Sequence, residues 1–182
     1  IRADASQQLL RFAELLDCPV CNSLMGLGGF PGNHPLFVSL IGMHGSYEAD
    51  MALSECDLII AAGARFSDRV AGDRKRFGQQ AEILHLDIDR AEVDKNVAVQ
   101  HSIVGDLKDI LPALCQGLTQ QDHQEWRNRI ERWRMEHPDT SSPAPDAPPQ
   151  YGHILSTLRG LTGEYDIIAT DVGQHQMWTA QK

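Results

Sequence analysis

Asp57-Leu58-Ile59-Ile60-Ala61-Ala62-Gly63 is a nearly continuous apolar run closed by a glycine, the pattern of a strand buried on both faces. Both faces of a sheet are buried only where helices cover them, so this run points to a parallel sheet in an α/β fold. Just before it, about Ser46 to Cys56 reads as a helix; just after it, Ala64 to Gly78 reads as a loop rich in Arg and Asp. A second strand follows at Glu82-Ile83-Leu84-His85-Leu86-Asp87-Ile88-Asp89, with Ile83, Leu84, Leu86 and Ile88 as its buried positions and acids at its carboxyl end. Ser102-Ile103-Val104-Gly105 is a short further strand that ends at Asp106, and a helix from Leu107 to about Leu118 comes next. Upstream, Ile1 falls in what reads as the middle of a helix whose apolar positions are Leu9, Leu10, Phe12, Ala13 and Leu16. A strand from Pro19 to Leu24 follows it, and Gly26, Gly28, Gly29, Pro31 and Gly32 then break regular structure. This alternation predicts an open, mainly parallel Rossmann-like sheet with helices on both faces.

Beyond these units, Gln124 to Glu136 carries Trp126, Ile130 and Trp133 at helical spacing among Arg127, Arg129, Arg132 and Arg134. A surface helix with one buried stripe is favoured over an RNA-binding arm, because glutamates alternate with the arginines. Residues 139–150 hold Pro143, Pro145, Pro148 and Pro149 with Ser and Asp, too little apolar content for a core and too much proline for a helix. They read as a linker between a domain at 1–138 and the start of a second at 151–182, where a helix (Tyr151 to about Arg159) and a strand (Tyr165 to Asp171) are expected. With no initiator Met and no signal pattern, the sequence reads as cut from something longer.

The 182 residues are 42% hydrophobic and carry a formal net charge of -9. That balance excludes a nucleic-acid footprint, which needs clustered Lys and Arg. No apolar run approaches the roughly 20 residues of a membrane span. Four cysteines, Cys18, Cys21, Cys56 and Cys115, are too few for a secreted disulfide scaffold, so a reducing compartment is expected, a bacterial cytoplasm or an organelle matrix. Cys18-Pro19-Val20-Cys21 matches C-x-x-C, but a helix precedes the pair and a strand follows, the reverse of a thioredoxin-like site. Both thiols are expected to stay reduced and metal-free, with at least one packed inside.

In open parallel sheets a ligand lies across the strand carboxyl ends, where loops and helix starts present unpaired N–H groups. Four loops converge there: Ser23-Leu24-Met25-Gly26, Gly63 to Val70, Asp87-Ile88-Asp89 and Gly105-Asp106. They offer amides after glycines, Arg65 and Arg69 to fork onto phosphate, and acids to accept from ribose hydroxyls. A dinucleotide fits that inventory, yet Gly26-Leu27-Gly28-Gly29-Phe30-Pro31 has Pro where the third glycine of a nicotinamide fingerprint belongs. The competing reading of the two arginines is a surface loop with salt bridges to Asp68 and Asp73. His44 sits in Gly42-Met43-His44-Gly45, and Gly173-Gln174-His175-Gln176 follows the last expected strand, with a helix beginning near Met177.

At these residues the sequence is similar to the catalytic subunit of acetohydroxyacid synthase. The segments 24–31, His34-Pro35-Leu36, 42–49, Gly63-Ala64-Arg65-Phe66, Asp68-Arg69-Val70, 85–89 and 170–178 follow that family in order. The resemblance implies a middle domain holding FAD mainly for structure, inside a three-domain enzyme that uses thiamine diphosphate and Mg. That enzyme condenses two 2-ketoacids for branched-chain amino acid synthesis, works as at least a dimer, and has a possible regulatory small subunit. It further implies that Ser23, Leu24, Met25, His44, Gly63, Ala64, Arg65, Arg69, Val70, Asp87, Ile88 and Asp106 line FAD. Val172, Gly173, Gln174 and His175 would approach thiamine diphosphate, with Met177 near the flavin.

Two positions depart from the family: Ser67 stands where Asp is usual, and Ser23 where Thr is usual. The metal-binding motif of the family would lie beyond Lys182 and the Glu that activates the thiamine ring upstream of Ile1, so no catalytic set is complete in these residues and the chain alone is expected to be inactive. Other readings are another flavin-holding thiamine enzyme, of the glyoxylate carboligase or pyruvate oxidase type, and a non-catalytic nucleotide-binding module.

Overall fold

The computed structural model describes residues 1–138, 150–163 and 166–181. Among them are five strands, β1 (Val20–Asn22), β2 (Phe37–Leu40), β3 (Leu58–Ala62), β4 (Glu82–Asp87) and β5 (His101–Val104). The helices are α1 (Ser6–Leu16), α2 (Tyr47–Glu55), α3 (Asp68–Ala71), α4 (Leu107–Gln116), α5 (Gln124–Glu136), α6 (Tyr151–Leu161) and α7 (Gln174–Ala180).

The apolar run at 57–63 becomes β3, and among the described residues every strand pairing is parallel. β4 lies between β3 and β5, with Ile59 opposite Ile83, Ala62 opposite Leu86, and Asp87 opposite Val104. Successive side chains of a strand face opposite ways, which separates two cores. Ile59, Ala61 and Ile83 pack with Phe66, Ala71, Ala81 and Val97 on one face, while Leu86 packs with Phe12 of α1 and Ile110 and Leu111 of α4 on the other.

β1 and β2 form a second parallel ladder, Val20 opposite Phe37 and Asn22 opposite Leu40. One side of it, with Val20 and Phe37, meets Ala13 of α1, Phe30 and Leu36. The other, with Cys21 and Val38, meets Ala49 and Ala52 of α2 and Trp126, Ile130 and Trp133 of α5. The α/β architecture with helices on both faces therefore holds, but as two parallel ladders rather than one continuous sheet.

Capping explains where two of the helices start. The Ser46 hydroxyl accepts from the Ala49 amide at 3.3 Å and opens α2, and the Asp106 carboxylate accepts from the Lys108 amide at 2.8 Å and opens α4, each satisfying a donor the helix cannot. The α5 arginines serve the fold: Arg129 lies 5.0 Å over the Trp133 ring and pairs with Glu55, and Arg134 reaches Glu48, Glu131 and the Val38 carbonyl. That is the surface helix with a buried stripe.

Several expectations are corrected. Ile1 does not lie within a helix: α1 begins at Ser6, after a turn in which the Asp4 amide donates to the Ile1 carbonyl and Asp4 is left-handed at φ 49. The first strand stops at Asn22, and Leu24–Gly26 is one turn of 3-10 helix. β2 is a strand that the flanking prolines and glycines conceal. The expected loop at 64–78 contains α3. Ile88 lies past the end of β4 and is 70% exposed, while His85 is fully buried. Residues 166–171 form no strand, since no described strand lies alongside to supply a ladder. The last helix begins at Gln174. The expected linker, apart from Gln150, lies outside the described residues, as does Tyr165.

Candidate functional site

The carboxyl ends of β3, β4 and β5 are tied together by their backbones: the Gly63 amide donates to the Leu86 carbonyl at 2.8 Å, and the Gly105 amide to the Asp87 carbonyl at 2.9 Å. This brings Gly63, Ala64 and Arg65 beside Asp87 and Ile88, with Asp106 at the start of α4. The Asp87 carboxylate is buried and accepts from the Asp89 amide at 2.9 Å. It shapes the turn, and Asp89 in turn caps the next turn by accepting from the Ala91 amide at 2.9 Å.

A second group forms where Gly42-Met43-His44 meets Arg69-Val70. The Met43 amide donates to the Arg69 carbonyl at 2.9 Å, and the Arg69 guanidinium reaches Met43 Sδ at 3.3 Å. Asp50 holds this turn from α2 by accepting from the Gly42 amide at 2.8 Å. Burial pushes the Asp50 carboxyl above its ordinary value; the Gly42 donor opposes that and Glu48 adds to it. Met43, Asp50, Asp68 and Val70 also line an open cavity of about 500 Å³ against Arg76 and Phe77.

Arg65 and Arg69 are both exposed, and neither forms an ion pair among the described residues, so the expected bridges to Asp68 and Asp73 do not form. Large apolar side chains stand exposed at the same strand ends: Leu24 and Met25 after β1, Ile88 after β4 and Val104 closing β5, with Met25 80% exposed. Ser23 is half-buried at the β1 end.

The remaining residues are placed differently. Val172, Gly173, Gln174 and His175 lead into α7, and among the described residues no hydrogen bond joins them to the strand-end loops. Gln181, just past the far end of α7, does reach one of these loops, where its side-chain amide donates to the His44 carbonyl at 2.9 Å. Met177 is half-buried, and its neighbour Trp178 stacks on Tyr151 at 3.8 Å. Sequence reasoning passed over Asp50, Asn96 and His85, which hold the loops in place. His85 had a visible signal, a polar ring between two leucines in a strand buried on both faces.

Cys18 and Cys21 pack into different cores, on opposite sides of β1. Burial pushes the Cys21 thiol up to about 12 from an ordinary 9.0, with Cys56, Asp50 and Glu48 adding to it, and the thiols of Cys18 and Cys56 up to about 11. An unfolded thiol ionises near 9.0, so the stability these groups contribute is complete below that pH and is lost as pH rises toward the folded values. The urea midpoint should therefore fall as pH rises above 9.0, and Cys21→Ala should flatten the fall; an unchanged slope in the variant would contradict this.

Parallel ladders sandwiched by helices, with exposed arginines and apolar side chains across the strand carboxyl ends, define a domain of the open parallel α/β class. The chain belongs to the thiamine pyrophosphate enzyme central-domain family, whose model matches residues 1–114. It is 43% identical over 190 residues to the probable acetolactate synthase large subunit of Methanocaldococcus jannaschii, covering 99% of this chain and 32% of that protein. It is 40% identical over 185 residues to the acetolactate synthase large subunit of Buchnera aphidicola subsp. Schizaphis graminum, with 99% and 32% covered. Against chloroplastic acetolactate synthase 1 of Nicotiana tabacum the identity is 41% over 186 residues, with 98% and 28% covered. The chain thus spans about a third of the length of the curated relatives it matches. Among the described residues no helix is long and apolar enough to cross a membrane.

Proposed function

We propose that this chain is the flavin-holding central part of an acetolactate synthase large subunit, with residues 1–138 binding FAD, 139–150 linking, and 151–182 opening the thiamine-diphosphate domain. The intact protein condenses two 2-ketoacids, losing carbon dioxide from one, in branched-chain amino acid biosynthesis. It assembles as at least a dimer with a regulatory small subunit, in a bacterial cytoplasm or an organelle matrix. The observation that carries the reading is the pair Arg65 and Arg69, exposed at the strand ends without an ion-pair partner among the described residues.

The residues present fit FAD. Two guanidiniums match the charge and fork geometry of a diphosphate, and the exposed Leu24, Met25, Ile88 and Val104 give a flat ring an apolar surface that excludes water. Gly63 and Ala64 let the diphosphate approach backbone amides, while Ser23, Asp87 and Asp106 supply hydrogen-bonding edges. Val70 and His44 close the side formed by the 42–45 turn, and Met177 would lie near the flavin. When bound, thiamine diphosphate with Mg supplies the carbanion chemistry, and FAD is held for its shape and charge without net redox change. Val172, Gly173, Gln174 and His175 form part of the wall that orients and shields that chemistry.

Flavin titration tests the assignment. A charge-assisted hydrogen bond contributes about 1.5–3 kcal/mol, so Arg65→Ala should weaken FAD binding by at least about tenfold. Arg74→Ala, exposed and away from the strand ends, should leave it nearly unchanged. Equal losses in the two variants would contradict a phosphate role for Arg65.

A further inference from the structure

Among the described residues His85, inside β4 two positions before its carboxyl end, is an ionisable side chain with no exposed surface. Its Nε2 lies 2.8 Å from the Ala64 carbonyl oxygen and 3.7 Å from Oδ2 of Asp87. A carbonyl has no proton to give, so Nε2 is the donor. Nδ1 is buried and has no partner among the described protein groups; a proton there would be a buried donor without an acceptor, which folded proteins avoid. The ring therefore carries its proton on Nε2.

What that bond holds is the stretch leading to Arg65. The carbonyl before Arg65 is fixed by His85, and the carbonyl of Arg65 itself accepts from the Asn96 side-chain amide at 2.8 Å. Both peptide planes flanking Arg65 are pinned, which sets the direction in which its side chain leaves the backbone. The next residue, Phe66, is buried at φ 46, a left-handed conformation that a bulky residue keeps only where its surroundings over-determine it. The surroundings are the His85 ring, edge-on at 5.0 Å, and Phe77 at 5.6 Å.

We propose that His85 is a positioning residue for the strand-end site: by donating from Nε2 to the Ala64 carbonyl and packing on Phe66, it aims Arg65 at the bound diphosphate. The inference rests on the FAD reading for its ligand, but not for its geometry.

The test uses the 182-residue chain with 15N-labelled histidine. The signal that disappears in His85→Gln should show a protonated Nε2 and a bare Nδ1; the reverse pattern overturns the proposal. His85→Gln keeps an N–H near the Nε2 position, whereas His85→Phe keeps the ring and loses the donor. FAD affinity should stay within about threefold of the parent in His85→Gln and fall by about tenfold in His85→Phe, one hydrogen bond's worth. In an Arg65→Ala background, His85→Phe should cost less than about twofold, because residues acting through one another are not additive. A tenfold loss with or without Arg65, or no loss in His85→Phe, overturns the positioning role. If His85→Phe does not fold, the nitrogen pattern together with the affinity of His85→Gln decides. If the parent chain binds no FAD, the flavin reading fails on its own. The nitrogen pattern and amide exchange at Arg65 and Phe66, retained in His85→Gln and faster in His85→Phe, then decide this one.

Discussion

Gly42→Ala should cost the domain about 3–5 kcal/mol, a loss expected where backbone strain and a clash that side-chain motion cannot relieve coincide. Gly42 sits at φ 94, and a Cβ there would run into the Arg69 carbonyl oxygen and come within 2.9 Å of Val70 Cα. The obstacles are backbone atoms, so the 42–45 turn and the 69–70 segment would have to separate. Their separation breaks the bond from the Met43 amide to the Arg69 carbonyl and moves Arg69 away from the strand ends. Set against a typical total of about 5–15 kcal/mol, the loss is a large share of the stability. Gly72→Ala is the control: its φ of 56 and ψ of -114 lie outside the left-handed helical basin, but no atom lies within 4 Å of the added carbon, so only the backbone penalty of about 1–3 kcal/mol applies. Urea unfolding of the two variants measures the difference. Equal destabilisation would contradict a close backbone approach at Gly42.

The second large effect concerns catalysis. The intact protein, supplied with thiamine diphosphate, Mg and FAD, should form acetolactate and carbon dioxide from two pyruvate molecules, while the 182-residue chain in the same assay should form none. Among the described residues no three His, Cys, Asp or Glu side chains group to hold a metal ion, and Val172 to His175 stand exposed or half-buried at the start of α7. On the proposed reading these side chains form one wall of a site, and the group activating the cofactor and the ligands anchoring its diphosphate lie elsewhere in the subunit. Acetolactate from the chain alone would contradict this division. Carbon dioxide from the intact protein without a coupled product would point to a decarboxylase instead.

The legible parts of the fold were those where local pattern and tertiary environment agree. β3 and β4 are apolar, short and bounded by turns, and β4 occupies the centre of the ladder they share with β5. α4 announces itself with Asp106 as its cap, and α5 with Trp126, Ile130 and Trp133 at helical spacing. β2 was hidden because Phe37 to Leu40 is only four residues long and lies between Pro35 and Gly42, where punctuation outweighs periodicity. Residues 166–171 misled in the opposite direction: an apolar run becomes a strand only where a neighbour completes its hydrogen bonds. The division into two ladders left no trace in the sequence, since it depends on how α1 and α2 pack across both.

The site was legible as a set of loops but not as an arrangement. Arg65, Arg69 and Ile88 are exposed, which leaves them open to the ligand proposed for the strand ends. Asp87, in contrast, is buried and spends one oxygen on the Asp89 amide, which spacing alone does not reveal. His85 and Asn96 act on carbonyl groups some 20 to 30 positions away in sequence. The first comes from the register of β3 against β4 and the second from the loop that leads into β5, and no local motif encodes either.

A crystal structure of the FAD complex tests the central claim most directly. The diphosphate should lie within hydrogen-bonding reach of Arg65 or Arg69, beside the loops that follow Asn22, Ala62, Asp87 and Val104, with apolar contacts from Leu24, Met25 or Ile88. Flavin bound at the opposite edge, beside the amino ends of the strands near Leu58, Glu82 and His101, would contradict the account.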